Sequence, residues 1–220
     1  MPAAESGLPR YIAVEGPIGV GKTTLALKLA ERLRARTVLE EFTDNPFLRE
    51  FYADRQRVAF QTQVYFLIAR FKQQERLRQQ DLFSRAIVSD YLFAKDRIFA
   101  YLNLKEHELQ LYEKIYDLIR PTLVKPDLVV YLQARPEVLM QRLRRRGRDF
   151  ETPIEVSYLE ELMRAYNNFF FHFDESPLLV VETSDINIVN NEKDFEDLVR
   201  VLGTVKHGTQ HYVPKSNPIG

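Results

Sequence analysis

The chain has 220 residues, 45% of them hydrophobic and 28% charged, with 31 basic side chains matched by 31 acidic ones. That composition suits a single well-cored globular domain, and a zero net charge provides no global field to draw in nucleic acid or an anionic membrane. With no cysteine, a disulfide framework and a thiolate metal site are excluded, and the four histidines (His107, His172, His207, His211) lack zinc-ligand spacing. Residues 1–10 show no apolar core of a signal peptide and no run approaches transmembrane length, so the expected location is the cytoplasm.

Short apolar runs alternate with longer helical patterns, which is how a parallel α/β sheet reads. Tyr11 to Val14 is expected to be a buried strand, followed by a glycine loop and a helix from Thr24 to Leu33. Thr37 to Glu40 reads as a second strand, and Asn45 to Ala53 and Arg57 to Gln80 as helices. Ala86 to Ser89 gives a third strand, with helical stretches through Ile119. Asp127 to Leu132 is the fourth strand, and Pro136 opens a helix at its first turn, where a missing N–H costs nothing. Val156 to Phe173 is a helix, Leu178 to Glu182 the fifth strand and Asp194 to Leu202 the last helix. The expectation is one α/β domain over residues 1–220: three layers, a five-stranded parallel sheet between helices, and a loosely ordered tail at 203–220.

A strand, then Gly16-Pro17-Ile18-Gly19-Val20-Gly21-Lys22-Thr23, then a helix is the context that the Walker A pattern requires. Glycines let backbone N–H groups curl around phosphates, and the helix N-terminus adds partial positive charge. Lys22 is expected to reach the β/γ-phosphates of ATP and the Thr23 hydroxyl to coordinate Mg²⁺, with Thr24 beside them.

Five arginines fall between positions 142 and 148. Planar forked donors match the charge that spreads over a transferring phosphoryl group. Arg142, Arg146 and Arg148 share one side of the helix and its exit, and Arg144 and Arg145 read as solvated. A lid at about 142–152 follows.

Glu40 ends the second strand, where side chains project toward the ligand crevice. A carboxylate there orients a hydroxyl, accepts its proton and repels a substrate that already carries phosphate. Glu41 is expected on the opposite face. Gln63 and Arg70 are seven residues apart on one helix face, about 10 Å along its axis, and an amide can pair with a base edge. Phe60, Phe66 and Phe71 offer apolar surface nearby.

These residues resemble the deoxynucleoside kinase family, particularly its bacterial deoxyadenosine/deoxyguanosine kinase branch. The resemblance runs from Tyr11 to about Leu202. It rests on residues 15–24 (Glu-Gly-Pro-Ile-Gly-Val-Gly-Lys-Thr-Thr), 40–47 (Glu-Glu-Phe-Thr-Asp-Asn-Pro-Phe), 59–70, 90–96 (Asp-Tyr-Leu-Phe-Ala-Lys-Asp) and 145–151 (Arg-Arg-Gly-Arg-Asp-Phe-Glu). The resemblance implies Glu40 as catalytic base, and Tyr52 with Glu151 on the sugar 3′-hydroxyl. It implies Gln63, Arg70 and Asp96 as base readers, and Asp90 at the Mg²⁺ shell or the nucleophile. Arg142, Arg146 and Arg148 match the lid arginines, and the loop Ser184-Asp185-Ile186-Asn187 matches the surround of the donor adenine. Many relatives carry an arginine after the acidic residue at the third strand end, where this chain has Tyr91, so that cation does not carry over. The implied reaction is ATP-dependent phosphorylation of a deoxyribonucleoside 5′-hydroxyl by a helix-mediated homodimer. Deoxyadenosine is favoured, because Asp96 accepts from an exocyclic amine beside Arg70; deoxycytidine and deoxyguanosine are alternatives. Rivals are a monophosphate kinase of the thymidylate kinase type and a regulatory P-loop protein.

Overall fold

The computed structural model describes residues 8–41, 44–80, 86–185, 188 and 191–213. Its sheet is built from β1 (Tyr11–Glu15), β2 (Arg36–Val38), β3 (Ile87–Ser89), β4 (Leu128–Gln133), β5 (Leu178–Glu182) and β6 (Thr209–Tyr212). The strands lie in the order β2-β3-β1-β4-β5-β6, and every described pairing is parallel. The sheet therefore has six strands, not five. Thr209–Tyr212 adds to β5, with Leu178 opposite Thr209, so part of the segment expected to be a loose tail is a strand. Three of its four residues are exposed, and such an edge strand shows little apolar patterning.

Helices α1 (Lys22–Leu33), α2 (Leu48–Ala53), α3 (Arg55–Gln80), α4 (Lys95–Asn103), α5 (Glu106–Ile119), α6 (Pro136–Arg146), α7 (Val156–Phe171) and α8 (Glu192–Leu202), with short 3-10 turns at Arg120–Thr122 and Asp149–Glu151, complete the described elements. The inner strands are buried on both faces, and their side chains alternate between two cores. Ile12, Val14, Val130 and Leu132 meet Leu25 and Leu29 of α1, Leu139 and Leu143 of α6, and Phe195 and Leu198 of α8. Ala13, Val129 and Tyr131 meet Leu77 of α3, Ile98 of α4, and Leu162 and Tyr166 of α7. This is the expected three-layer arrangement. Tyr91 belongs to the second core and is wholly buried, so the residue standing where relatives carry arginine is a packing residue.

Local chemistry accounts for the shifted element ends. The Asn45 amide donates to the Thr62 carbonyl, and its Oδ1 accepts the Phe47 N–H. That polar turn replaces the first turn expected of α2. α3 breaks helical geometry at Val58 (φ −131°, ψ 17°). Asn191 caps α8 by accepting from the Lys193 and Asp194 N–H groups, which starts that helix two residues early.

β1 lies centrally, between β3 and β4, and its carboxyl end runs straight into the phosphate loop, where ligands bind in open α/β sheets. Two glycines fit the loop to its neighbours. A Cβ on Gly16 would stand 2.5 Å from the Leu132 carbonyl oxygen. Gly19, at φ +84°, rests on Leu139 and Leu143 of α6, so loop and lid helix are packed as one. Gly16→Ala is expected to cost about 2 kcal/mol by overpacking. In a chain of this size that lowers Tm by about 4–8 °C, and the melting curve should show it together with weakened ATP binding.

Candidate active site

The phosphate loop closes on α1 with Gly21 at the N-cap and no side-chain cap, which leaves the first-turn N–H groups for an anion. The Lys22 ammonium donates to the Gly16 and Pro17 carbonyls at 2.8 and 3.2 Å, lying across the loop it would leave for a phosphate. Gly19, Val20, Gly21, Lys22, Thr23, Thr24, Glu40, Asp90, Arg142, Arg145, Arg146 and Arg148 all border one open cavity of about 590 Å³. That is ample for a nucleotide's phosphates.

A second, narrower cavity continues from it. Ile18, Glu40, Tyr52, Gln63, Phe66, Arg70, Lys95, Phe150 and Glu151 border it. Lys22, Thr23, Glu40, Asp90, Arg146 and Arg148 border both. The residues expected to hold a phosphate donor and those expected to hold an acceptor thus face each other across Glu40.

Glu40 lies two residues beyond β2 rather than at its end. It is aimed by Asp90, whose Oδ1 accepts the Glu40 N–H at 2.7 Å, while Oδ2 accepts the Thr23 hydroxyl at 2.5 Å. One Glu40 oxygen accepts from the Arg70 guanidinium (Nε at 2.8 Å, Nη2 closer) and the other from the Lys95 ammonium at 2.7 Å. Burial alone would raise the Glu40 carboxyl, but Lys95 and Arg70 outweigh it and hold the group well below the usual carboxylate range. Glu41 is exposed and reaches Arg76 at 3.5 Å, away from the site.

Asp96 is fully buried, pairs with Arg70 Nη1 and accepts the Tyr112 hydroxyl at 2.6 Å. It stands behind Arg70, outside the residues that border the cavity, and fixes the guanidinium. The Gln63 Nε2 donates to the Asp96 carbonyl at 2.9 Å, which commits one amide N–H and leaves the Gln63 carbonyl oxygen as acceptor.

The lid arginines divide into two kinds. Arg142 donates to the Val20 and Thr183 carbonyls and to the Thr183 hydroxyl, tying the loop to the end of β5. Arg146 forks onto Glu151, with contacts of 2.6 to 3.1 Å, and Arg148 lies 3.5 Å from the same carboxylate. Tyr52 stacks on Phe150 at 6.2 Å, which sets it beside Glu151. Arg145 is exposed as expected, yet it borders the phosphate cavity. On the donor side, Asp185 forms a forked pair with Arg135 at 2.5 and 3.0 Å, while Thr183 and Ile188 border the cavity. Asn187 lies outside the described residues.

Two site residues escaped the motif reading. Glu15 is wholly buried and accepts the Gly16 and Leu92 N–H groups and the Tyr166 hydroxyl, joining the loop to β3 and α7. A carboxylate closing an otherwise apolar strand was its signal. Lys95 is 3% exposed between Glu40 and Glu15, 4.0 Å from the latter, and its signal was only a place within a quoted motif.

The whole arrangement was compared with known proteins. The family model for deoxynucleoside kinases matches residues 12–205. The chain belongs to the deoxynucleoside kinase family. A deoxyguanosine kinase of Bacillus subtilis is 38% identical over 201 residues, 89% of this chain and 96% of that protein. A deoxyadenosine/deoxycytidine kinase of the same organism is 33% identical over 207 residues, 90% of this chain and 94% of that one. Among solved structures, a deoxyadenosine kinase from M. mycoides with bound dCTP matches at TM-score 0.74 and 24% identity, covering 89% of this chain and all of that one. This likeness establishes the P-loop kinase fold. Membership makes the protein a kinase and supports phosphorylation of a nucleoside.

Desolvation lowers Lys22 to about 8, and the neighbouring Lys95 adds to it against the pull of Glu15, Glu40 and Asp90. An ammonium with so low a value loses its proton as pH rises through about 8, and a phosphate needs it charged. ATP binding is therefore expected to take up protons near pH 8, read by calorimetry in buffers of different ionisation enthalpy. Lys22→Arg should abolish that uptake.

Proposed function

We propose that this protein transfers the γ-phosphoryl group of ATP, with Mg²⁺, to the 5′-hydroxyl of a purine deoxyribonucleoside. The observation that carries the reading is the Glu40 carboxylate. It stands where the phosphate cavity opens into the narrower one, tied on one side to the phosphate loop through Asp90 and Thr23 and on the other to Arg70. A hydroxyl bound beside Glu40 would face the phosphate cavity and have its proton acceptor in place.

The oxygen donors of Thr23 and Asp90 suit Mg²⁺, a hard cation. When bound, it would neutralise charge on the β- and γ-phosphates. Thr183, Ile188 and Arg142 are set to receive the donor's base, and Arg145, Arg146 and Arg148 its phosphates.

For the acceptor, Tyr52 and Glu151 would take the sugar 3′-hydroxyl and Phe66 the base face. Gln63 carries a donor and an acceptor, which suits the N6/N7 edge of adenine. A second reading, guanine, is favoured by the Arg70–Asp96 pair. Asp96 is spent on Arg70 and Tyr112, so the base meets the donors of Arg70, and paired donors match O6 and N7 of guanine. The acceptor cavity, at about 120 Å³, is well below the roughly 300–1,000 Å³ of ligand pockets. The acceptor cavity would therefore widen as substrate enters.

We also propose a homodimer, supported by Leu111 and Leu118 on α5, which are 50% and 78% exposed. Among the described residues no helix is long and apolar enough to cross a membrane.

The purified protein, with Mg²⁺–ATP and the four deoxynucleosides, is expected to phosphorylate deoxyadenosine and deoxyguanosine faster than thymidine. Phosphorylation of deoxynucleoside monophosphates alone would sink the proposal. Glu40→Gln should lower kcat about 10²–10⁴-fold while ATP still binds; unchanged turnover would remove Glu40 as base.

A further inference from the structure

We propose that Lys95 is a catalytic residue, the cation that meets the transferring phosphoryl group from the acceptor side. This rests on the phosphoryl-transfer reading above and concerns a side chain that no motif assigned to the chemistry. Three observations carry it.

The first is position. The Lys95 ammonium is 2.7 Å from Oε2 of Glu40, borders the acceptor cavity and is almost wholly buried. A hydroxyl close enough to give Glu40 its proton is within reach of an ammonium bonded to the same carboxylate. The local chain fixes this placement. β3 ends at Ser89, and the chain enters α4 at Lys95, whose N–H is bonded to the Leu92 carbonyl.

The second is charge accounting. A buried ammonium is costly to desolvate, and this one is held between two carboxylates, 2.7 Å from Glu40 and 4.0 Å from Glu15. Arg70 divides its guanidinium between Glu40 and Asp96. When Glu40 takes up a proton, charge on Lys95 is released to meet negative charge that arrives with substrate.

The third is the division of the other cations. Lys22 serves the phosphate loop, and Arg70 is fixed from behind by Asp96. Position 91 holds a core tyrosine instead of arginine. Lys22, Arg146 and Arg148 border both cavities, whereas Lys95 borders the acceptor cavity alone and is the cation on that side bonded to Glu40.

In the transfer, the 5′-oxygen bonds to the γ-phosphorus while the bond from that phosphorus to the β–γ bridging oxygen breaks. The electron pair leaves with ADP, and the hydroxyl proton passes to Glu40. As Glu40 becomes neutral its hold on Lys95 weakens, and the ammonium's N–H donors turn to the equatorial oxygens of the phosphoryl group. The stabilisation is thus larger in the transition state than in the ground state, which is the condition for raising kcat.

The test begins with native enzyme on the deoxynucleoside panel; if no deoxynucleoside is phosphorylated, the functional reading fails independently of Lys95. With activity established, Lys95→Met is expected to lower kcat by about 10²–10³-fold, the usual loss for one transition-state donor. The KM for ATP and for the nucleoside should stay within about threefold, because the ground-state contacts remain. Lys95→Arg, which keeps the charge and covers the case in which the methionine variant fails to fold, is expected to hold kcat within about tenfold of native. A Lys95→Met enzyme with kcat within threefold of native, or with its loss confined to KM, would overturn the proposal. So would a folded Lys95→Arg enzyme as slow as a charge-free site.

Discussion

A carboxylate that is to take a proton from an alcohol must be kept ionised while partly withdrawn from water. Glu40 meets both demands because each of its oxygens is held by a different cation, Arg70 on one and Lys95 on the other. Much of the active site depends on this double grip. Arg70 is backed by Asp96, and Asp96 by Tyr112, so α3, α4 and α5 all converge on one carboxylate. The buried Glu15 does the same work for the phosphate loop, joining it to the chain after β3 and to α7. Pairs this buried hold little net stability over apolar replacements, and their use here is to place charge. One cation of the pair belongs to the base end of the acceptor and the other to its 5′ end, so the proton acceptor is joined to both ends of the substrate.

Asp90 makes the corresponding link to the donor. Its two oxygens join the Thr23 hydroxyl to the Glu40 backbone, so the residue just after β3 sets the distance between the proposed Mg²⁺ ligand and the proposed base. Glu151 plays a similar part for the lid. It gathers Arg146 and Arg148 while bordering the sugar end of the acceptor cavity. In the proposed function a 3′-hydroxyl that engaged Glu151 would compete with those arginines and free their donors toward the phosphates.

The first five strands and the phosphate loop were legible in the sequence because both rest on local rules: buried strands read as continuous apolar runs, and a glycine loop between strand and helix has one use. The sixth strand was not legible, since an edge strand with exposed Thr209, Gln210 and His211 lacks that apolar signal. Glu40, Tyr52, Gln63, Arg70, Asp90 and Glu151 do border the paired cavities; strand and helix positions pointed to Glu40, Gln63 and Arg70, and the family resemblance alone to Tyr52, Asp90 and Glu151. The depth of Asp96 was not legible, because a motif position gives none; only the fold shows it behind Arg70. Arg142 was grouped with the lid by helical spacing, which does not reveal that two backbone carbonyls hold its guanidinium. Lys95 was passed over because a lysine beside an aspartate at a helix start reads as solvent-facing, and its burial comes from long-range packing.

The claim at the centre of this account is that Glu40 and Lys95 act as a unit, and a double-mutant cycle on kcat measures that directly. Glu40→Gln, Lys95→Met and the double variant would be compared with native enzyme at saturating ATP and nucleoside. Residues acting on the same step through each other are strongly non-additive. The account predicts a double variant about as slow as the slower single one, whereas losses that multiply would show two independent contributions and contradict it.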